Sequence, residues 1–247
     1  MKALILAAGY ATRMYPITKV YPKPLLLVKR RPIINYIIDK LQKLDALDEI
    51  IVVTNSKFIL RFKKWARGLE SRKPITLVDD LTHTNSDRRG AVGDMDFAIT
   101  KLRLHDDLLV IGGDNLFDGG LKDFLDFAES AGFPPVVGTY DVKDLSAASK
   151  YGVVRINQKR QIVDFKEKPK DPQSTLAAMC LYYFPKKTLG FIKEYLNHRH
   201  QMQDATGFYI DWLRKKIPVY AFTFGGRWYD IGDRYFYHQA KEKFNKV

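Results

Sequence analysis

The stretch ALILAAGYATRMYPIT, Ala3–Thr18, passes from an apolar run through Ala8, Gly9, Tyr10, Ala11 and Thr12 to Arg13. Small residues let backbone N–H groups approach an anion, and a guanidinium fork matches phosphate geometry, so this loop can hold a phosphate. It is not a Rossmann fingerprint, because Ala11 and Met14 stand where the second and third glycines belong, nor a P-loop, which needs Gly-Lys-Ser/Thr. The alternative is an ordinary turn. Further on, YPKPLLLV sets Lys23 between two prolines that restrict its backbone, which suits a fixed phosphate contact or simply steers the chain.

Carboxylates stand at two more run ends. Asp114 closes the apolar VIGGD, and Asp230 and Asp233 follow VYAFTF in RWYDIGD. Each can cap the next element or form a turn; together Asp114 and Asp230 can share one Mg²⁺, which takes one or two carboxylates and completes its shell with phosphate oxygens and waters. In DFKEKP, Glu167 and Lys168 are neighbours at a strand end held by Pro169, placed to reach one ligand or to pair with each other. His198 and His200 are two apart on a basic helical stretch, which spreads the rings over different faces rather than around a metal. Cys180 lies in the apolar run TLAAMCLYYF and reads as inert core.

These residues need elements to position them. ALILAAG leads to PIINYIIDKLQKL, where Ile33, Ile37, Leu41 and Leu44 share a face and Pro32 suits the first turn. EIIVVTN precedes a helix with Phe58, Phe62, Trp65 and Leu69; ITLVDD precedes one with Val92, Met95, Ile99 and Leu102; DLLVIGGD precedes one with Leu121, Phe124, Leu125 and Ala128. Four βα units in succession predict a parallel sheet with helices on both faces. The second half differs: 151–157 and 161–169 read as an antiparallel hairpin, TLAAMCLYYF and VYAFTF as two more strands, and 186–200, 207–216 and 234–244 as helices. The expected class is α/β, a Rossmann-like, mixed but mainly parallel sheet in one domain over 1–247.

The composition, 46% hydrophobic and 28% charged, suits one core, and the charge of +13 favours anionic ligands. Nucleic acid is the competing anion, yet the basic RFKKWAR segment falls on the polar side of a helix whose aromatics read as core, so no base-stacking platform is expected. A lone cysteine, a short amino-terminal apolar run and the lack of a long uncharged stretch predict a soluble, cytoplasmic chain without membrane contact.

In joint order, LAAGYATR, PKPLLLV, GGDN, YGVV, FKEKP, GFYIDWL and WYDIGD closely resemble the sugar-1-phosphate nucleotidyltransferase family, whose members include glucose-1-phosphate thymidylyltransferases and uridylyltransferases; the match runs from Lys2 to Asp233. The resemblance implies transfer of a nucleotidyl group, with dTTP or UTP favoured, from an NTP to a sugar 1-phosphate with release of pyrophosphate. It implies Gly9 and its neighbours under the triphosphate, Arg13 and Lys23 on the reacting phosphates, and Mg²⁺ on Asp114 and Asp230. Lys168 would grip the sugar phosphate and Glu167 a sugar hydroxyl, while Gly152 lets the backbone approach the sugar. It further implies a nucleotide-binding part over about 1–115 and a sugar-phosphate part over about 116–235, with no repeat-built C-terminal domain expected.

The departures bear on specificity. Many members have Gly where Ala11 stands, a change a negative φ tolerates. Where Asp233 stands many have Thr, so Asp233 is either a third carboxylate near the metal or a helix cap. The glutamine-led segment that reads the pyrimidine is replaced by HTNSDRRGAVGDM, in which Asn85, Gly90 and Ala91 are candidates for the base, and the glycine usual before the tyrosine pair is missing beside Cys180. A CTP-dependent transfer to another phosphorylated alcohol and a catalytically silent nucleotide-binding protein remain alternatives. Sugar, base and oligomeric state, a homo-oligomer included, are open.

Overall fold

Along the first strand, alternate side chains serve opposite faces: Ala3 and Ile5 join one buried cluster and Leu4 the other. The computed structural model describes residues 1–198 and 205–244. In chain order its strands are β1 (Lys2–Leu6), β2 (Leu27–Val28), β3 (Arg31–Pro32), β4 (Glu49–Thr54), β5 (Ile75–Asp79), β6 (Leu108–Gly112), β7 (Asn115–Phe117), β8 (Val136–Asp141), β9 (Gly152–Ile156), β10 (Ile162–Glu167), β11 (Leu176–Phe184), β12 (Tyr220–Phe224) and β13 (Trp228–Asp230). The helices are α1 (Ile17–Val20), α2 (Ile33–Leu41), α3 (Ile59–Arg67), α4 (Gly90–Leu102), α5 (Leu121–Ser130), α6 (Leu145–Ala148), α7 (Gly190–Asn197), α8 (Thr206–Leu213) and α9 (Arg234–Lys243).

Nine strands make one sheet, in which β6, β1, β4 and β5 lie side by side and parallel, as the βα succession predicts. The antiparallel part hangs on the long β11. It pairs with β6 and β9 along one edge and with β8 along the other, while β10 closes a hairpin onto β9 and β12 runs parallel to β8. Helices α2, α3 and α5 cover one face, through Ile37, Phe62 and Phe124; α4, α7 and α8 cover the other, through Met95, Ile192 and Tyr209. Both faces are therefore dry, which is why the parallel strands read as nearly continuous apolar runs. Phe58 and Phe62 are buried in the core, with Trp65 and Leu69 packed against it. The aromatics of the basic RFKKWAR segment are thus packing residues.

Sequence reasoning leaves 136–141 unassigned, because two prolines precede it and Gly138, Thr139 and Tyr140 interrupt its apolar pattern; it is a strand held between β11 and β12. The helix expected from 186 begins at Gly190, after a single 3₁₀ turn over Lys186–Thr188. His200 lies outside the described residues. Two short pairings, β2 with β3 and β7 with β13, carry no periodicity signal, and β7–β13 matters most: it sets Asn115 opposite Asp230. A third apolar cluster, with Met14, Leu26, Leu116, Ile231 and Tyr237, fastens the loop after β1, the β2–β3 hairpin, α9 and this short pair together. No helix among the described residues is long and apolar enough to cross a membrane.

Candidate active site

The loop after β1 is fastened from three sides. Asn55 Nδ2 donates to the Ala8 carbonyl (2.7 Å), Tyr10 Oη and Thr82 Oγ1 share a hydrogen bond (3.0 Å), and Thr18 Oγ1 donates to the Ala11 carbonyl (2.7 Å). The side chains of Ala8 and Tyr10 are buried, whereas Gly9, Thr12 and Arg13 are exposed. Among the described residues no backbone carbonyl accepts from the N–H groups of Gly9, Tyr10, Ala11 or Thr12. With its carbonyls held and these amides unspent, the loop offers donors to an anion.

Ala11 does not meet the condition under which a side chain is tolerated there. Its φ is 48° and its ψ 47°, the left-handed conformation. The turn into Thr12–Met14 requires it, and the Cβ is strained as a result. Ala11→Gly should therefore raise the unfolding free energy by about 1 kcal/mol, the relief of strain exceeding the added entropy of a glycine. Urea denaturation measures this, and a midpoint at or below the parent's would refute it.

Lys23 begins a 3₁₀ turn and pairs with Asp114, which follows β6 after two glycines. Burial alone would push the Lys23 ammonium down, but Asp114 and Asp230 together hold it above the ordinary lysine range. Asp230, at the end of β13, is pushed up to about 6, first by burial and then by the Asp114 charge, against the opposing pull of Lys23, Lys168 and Arg13. Five sequence-predicted residues thus act on one another here although they come from five separate segments. Two carboxylates brought together in a half-buried place form a hard oxygen donor set suited to Mg²⁺, with the remaining positions left to phosphate and water. Among the described residues no third Cys, His, Asp or Glu joins them at ligating distance. Asp233 is not near enough to do so. It caps α9, its Oδ1 accepting from the Phe236 N–H at 3.0 Å.

A cleft of about 290 Å³ beside this centre is lined by Ala8, Gly9, Tyr10, Asn85, Gly90 and Ala91, and by Asp114. All six were singled out as nucleotide contacts from sequence. Sequence reasoning missed Asp80, Asp94 and Arg88 on its walls and Cys180 on its floor. Cys180 sits in a bulge of β11 with φ 51°, the left-handed region that favours glycine, close enough to Gly112 that an added Cβ there would meet its Sγ at 3.1 Å. It is therefore not simply a core residue, though burial, with Asp114 and Asp230 adding to it, pushes its thiol up to about 12 and leaves it unreactive. Asn115 holds the bulge in place, its Nδ2 donating to the Met179 and Cys180 carbonyls while its Oδ1 accepts from Trp228 Nε1 at 2.8 Å.

Glu167 ends β10 and Lys168 follows it, with the Lys168 Nζ 3.6 Å from the Glu167 carboxylate. Burial pushes the Glu167 carboxyl up, with Lys168 pulling it back. At Gly152 an added Cβ would meet the Phe165 ring at 2.6 Å, so the missing side chain makes room for Phe165 and Glu167, as it does at Gly207, where an added Cβ would run into the Glu167 carboxylate. These glycines let a buried carboxylate be backed by helix α8.

The model of the nucleotidyl transferase family matches residues 2–247. The chain belongs to that family. A bifunctional protein GlmU of Methanocaldococcus jannaschii is 28% identical over 94% of this chain and 51% of its own length. A putative mannose-1-phosphate guanyltransferase of Sulfolobus acidocaldarius is 28% identical over 94% of this chain and 60% of its own. The chain thus spans about half to three fifths of the length of these relatives. A crystal structure of UDP-glucose pyrophosphorylase with UDP-glucose superposes with a TM-score of 0.81, at 23% identity, over 98% of this chain and 97% of that one, which establishes the mixed α/β fold.

Proposed function

We propose that this nucleotidyl transferase joins the nucleotidyl group of an NTP to a sugar 1-phosphate and releases pyrophosphate, in the cytoplasm where both substrates are made. The supporting observation is the convergence of Lys23, Arg13 and Lys168 on the Asp114–Asp230 pair, beside a loop with unspent amides. Two polyanions must meet, so catalysis needs positioning and charge stabilisation rather than a protein nucleophile. The Gly9–Thr12 amides and Arg13 would hold the phosphates that leave. Lys23 would hold the α-phosphate, and Lys168 the attacking phosphate with its sugar against Glu167. Asp114 and Asp230 would hold Mg²⁺, which when bound offsets charge on the reacting phosphate oxygens. A net charge of +13 steers both substrates inward.

The resemblance favours dTTP or UTP, but the names of similar proteins span guanyl and uridyl transfer, so the family alone does not set the base. A pyrophosphate-release assay of five NTPs against a panel of sugar 1-phosphates, with and without Mg²⁺, tests the reading. Release by at least one pair, abolished by EDTA, is expected; no release with any pair would reject it.

A further inference from the structure

The cleft beside the loop after β1 contains two acidic side chains that the reaction described above does not use. Asp80 follows β5 and is 1% exposed; Asp94 lies on the buried face of α4 and is 6% exposed, among Val92, Met95 and Ala98. Both line the cleft. Thr82 fixes Asp80, its N–H and Oγ1 donating to Oδ1 at 2.7 and 2.8 Å, and Thr82 is fixed in turn by Tyr10. Burial pushes the Asp80 carboxyl up, with its contacts to Thr82 and Asp94 pulling it back.

Position assigns the pair its ligand. Phosphates must lie toward Lys23, Arg13 and Asp114, at the ends of β1 and β6, whereas Asp80 lies at the end of β5, separated from β6 by β1 and β4. At the usual strand spacing that is on the order of 15 Å, about the reach from a triphosphate to its base. Gly9, Gly90 and Ala91 leave room for a flat ring between the walls. The group facing the pair is therefore the base edge. An ionised carboxylate only accepts hydrogen bonds. Guanine, cytosine and adenine each present an amino group on the pairing edge; uracil and thymine present carbonyl oxygens on both sides of a single N–H, and those oxygens would face negative charge.

We propose that Asp80 and Asp94 make the cleft select an NTP whose base carries an amino group on its pairing edge over UTP and dTTP. This rests on the nucleotidyl-transfer reading and ranks the donors differently from the family resemblance. A site built to bond a polar group rejects an analogue lacking it far more strongly than a site that merely accommodates it.

Titration calorimetry with GTP, CTP, ATP, UTP and dTTP in Mg²⁺ tests it, since binding is read whether or not the right sugar is known. At least one amino-bearing NTP is expected to bind ten or more times tighter than both UTP and dTTP. Asp94→Asn and, separately, Asp80→Asn are expected to cut that ratio at least fivefold. A purely structural role would weaken all five NTPs alike, because they share their triphosphate contacts, and leave the ratio unchanged. UTP or dTTP binding as tightly as the others, or a ratio unmoved in both variants, overturns the proposal while leaving nucleotidyl transfer standing. Absence of binding by all five, together with no pyrophosphate release, overturns both.

Discussion

Asp230→Asn is expected to make the metal-free protein more stable at pH 7 while lowering turnover about 10³-fold, an effect equal to several kcal/mol of lost charge stabilisation. The Asp230 carboxyl is pushed up to about 6 by burial and by Asp114, against an ordinary value near 3.8. Between those values the folded protein holds a proton that the unfolded chain has already released. Stability from this group is therefore full below about pH 4 and is lost as pH rises through about 6. Asparagine cannot ionise, so the variant escapes that loss. In EDTA, the gain over the parent should be near zero at pH 4 and about 1–3 kcal/mol at pH 7.5. Urea denaturation at both pH values, with pyrophosphate release on the same samples, reads the two effects. A variant that is equally inactive but no more stable at pH 7.5 would mean that Asp230 is comfortable as an anion without metal, and the strain assigned to the carboxylate pair would be wrong.

That strain has the form expected of a site kept for function: charge is gathered where folding alone would disperse it. It also bears on what could be read in advance. Apolar runs ending in a charge pointed to Asp114 and, with the family motifs, to Arg13, Lys23 and Asp230, because a strand that is buried on both faces has polar residues chiefly at its ends. Asp80 ends its strand in the same way, and Asp94 breaks the apolar face of α4, so both carried a signal in the sequence. What hid them was their plausibility as turn and surface residues. Strand β8 was hidden by composition, since Gly138 and Thr139 are acceptable in its centre only because β11 and β12 surround them. The conformations of Ala11 and Cys180 were not legible at all. Both occupy positive φ through tertiary packing that local propensity does not encode. Gly152 stands out in YGVV, but its packing against the Phe165 ring is a contact across the β9–β10 hairpin that no local pattern encodes.

Lys23→Met should cost both stability and rate, and should make the protein depend on metal for its fold. In the metal-free state Lys23 is the cation paired with Asp114, and its side chain is only 17% exposed. Methionine keeps most of the apolar stem and removes the charge, leaving Asp114 and Asp230 facing each other with only Lys168 and Arg13 to offset them. Breaking a partly buried pair from one side is costly because the surviving charge stays partly desolvated; with the two side chains 17% and 24% exposed, a loss of about 2 kcal/mol in EDTA is expected. A divalent cation bound by the two carboxylates supplies charge to the same place. Saturating Mg²⁺ should therefore raise the melting temperature of Lys23→Met by more than it raises that of the parent, where Lys23 already competes for Asp114. Turnover should fall about 10²–10³-fold even in saturating Mg²⁺, the effect of deleting one oriented charge at a reacting group. Thermal melts of both proteins across a Mg²⁺ titration measure the first effect. Equal Mg²⁺-induced shifts would show that the ammonium and the metal do not share Asp114, and the placement of Lys23 beside the metal ligands would have to be abandoned.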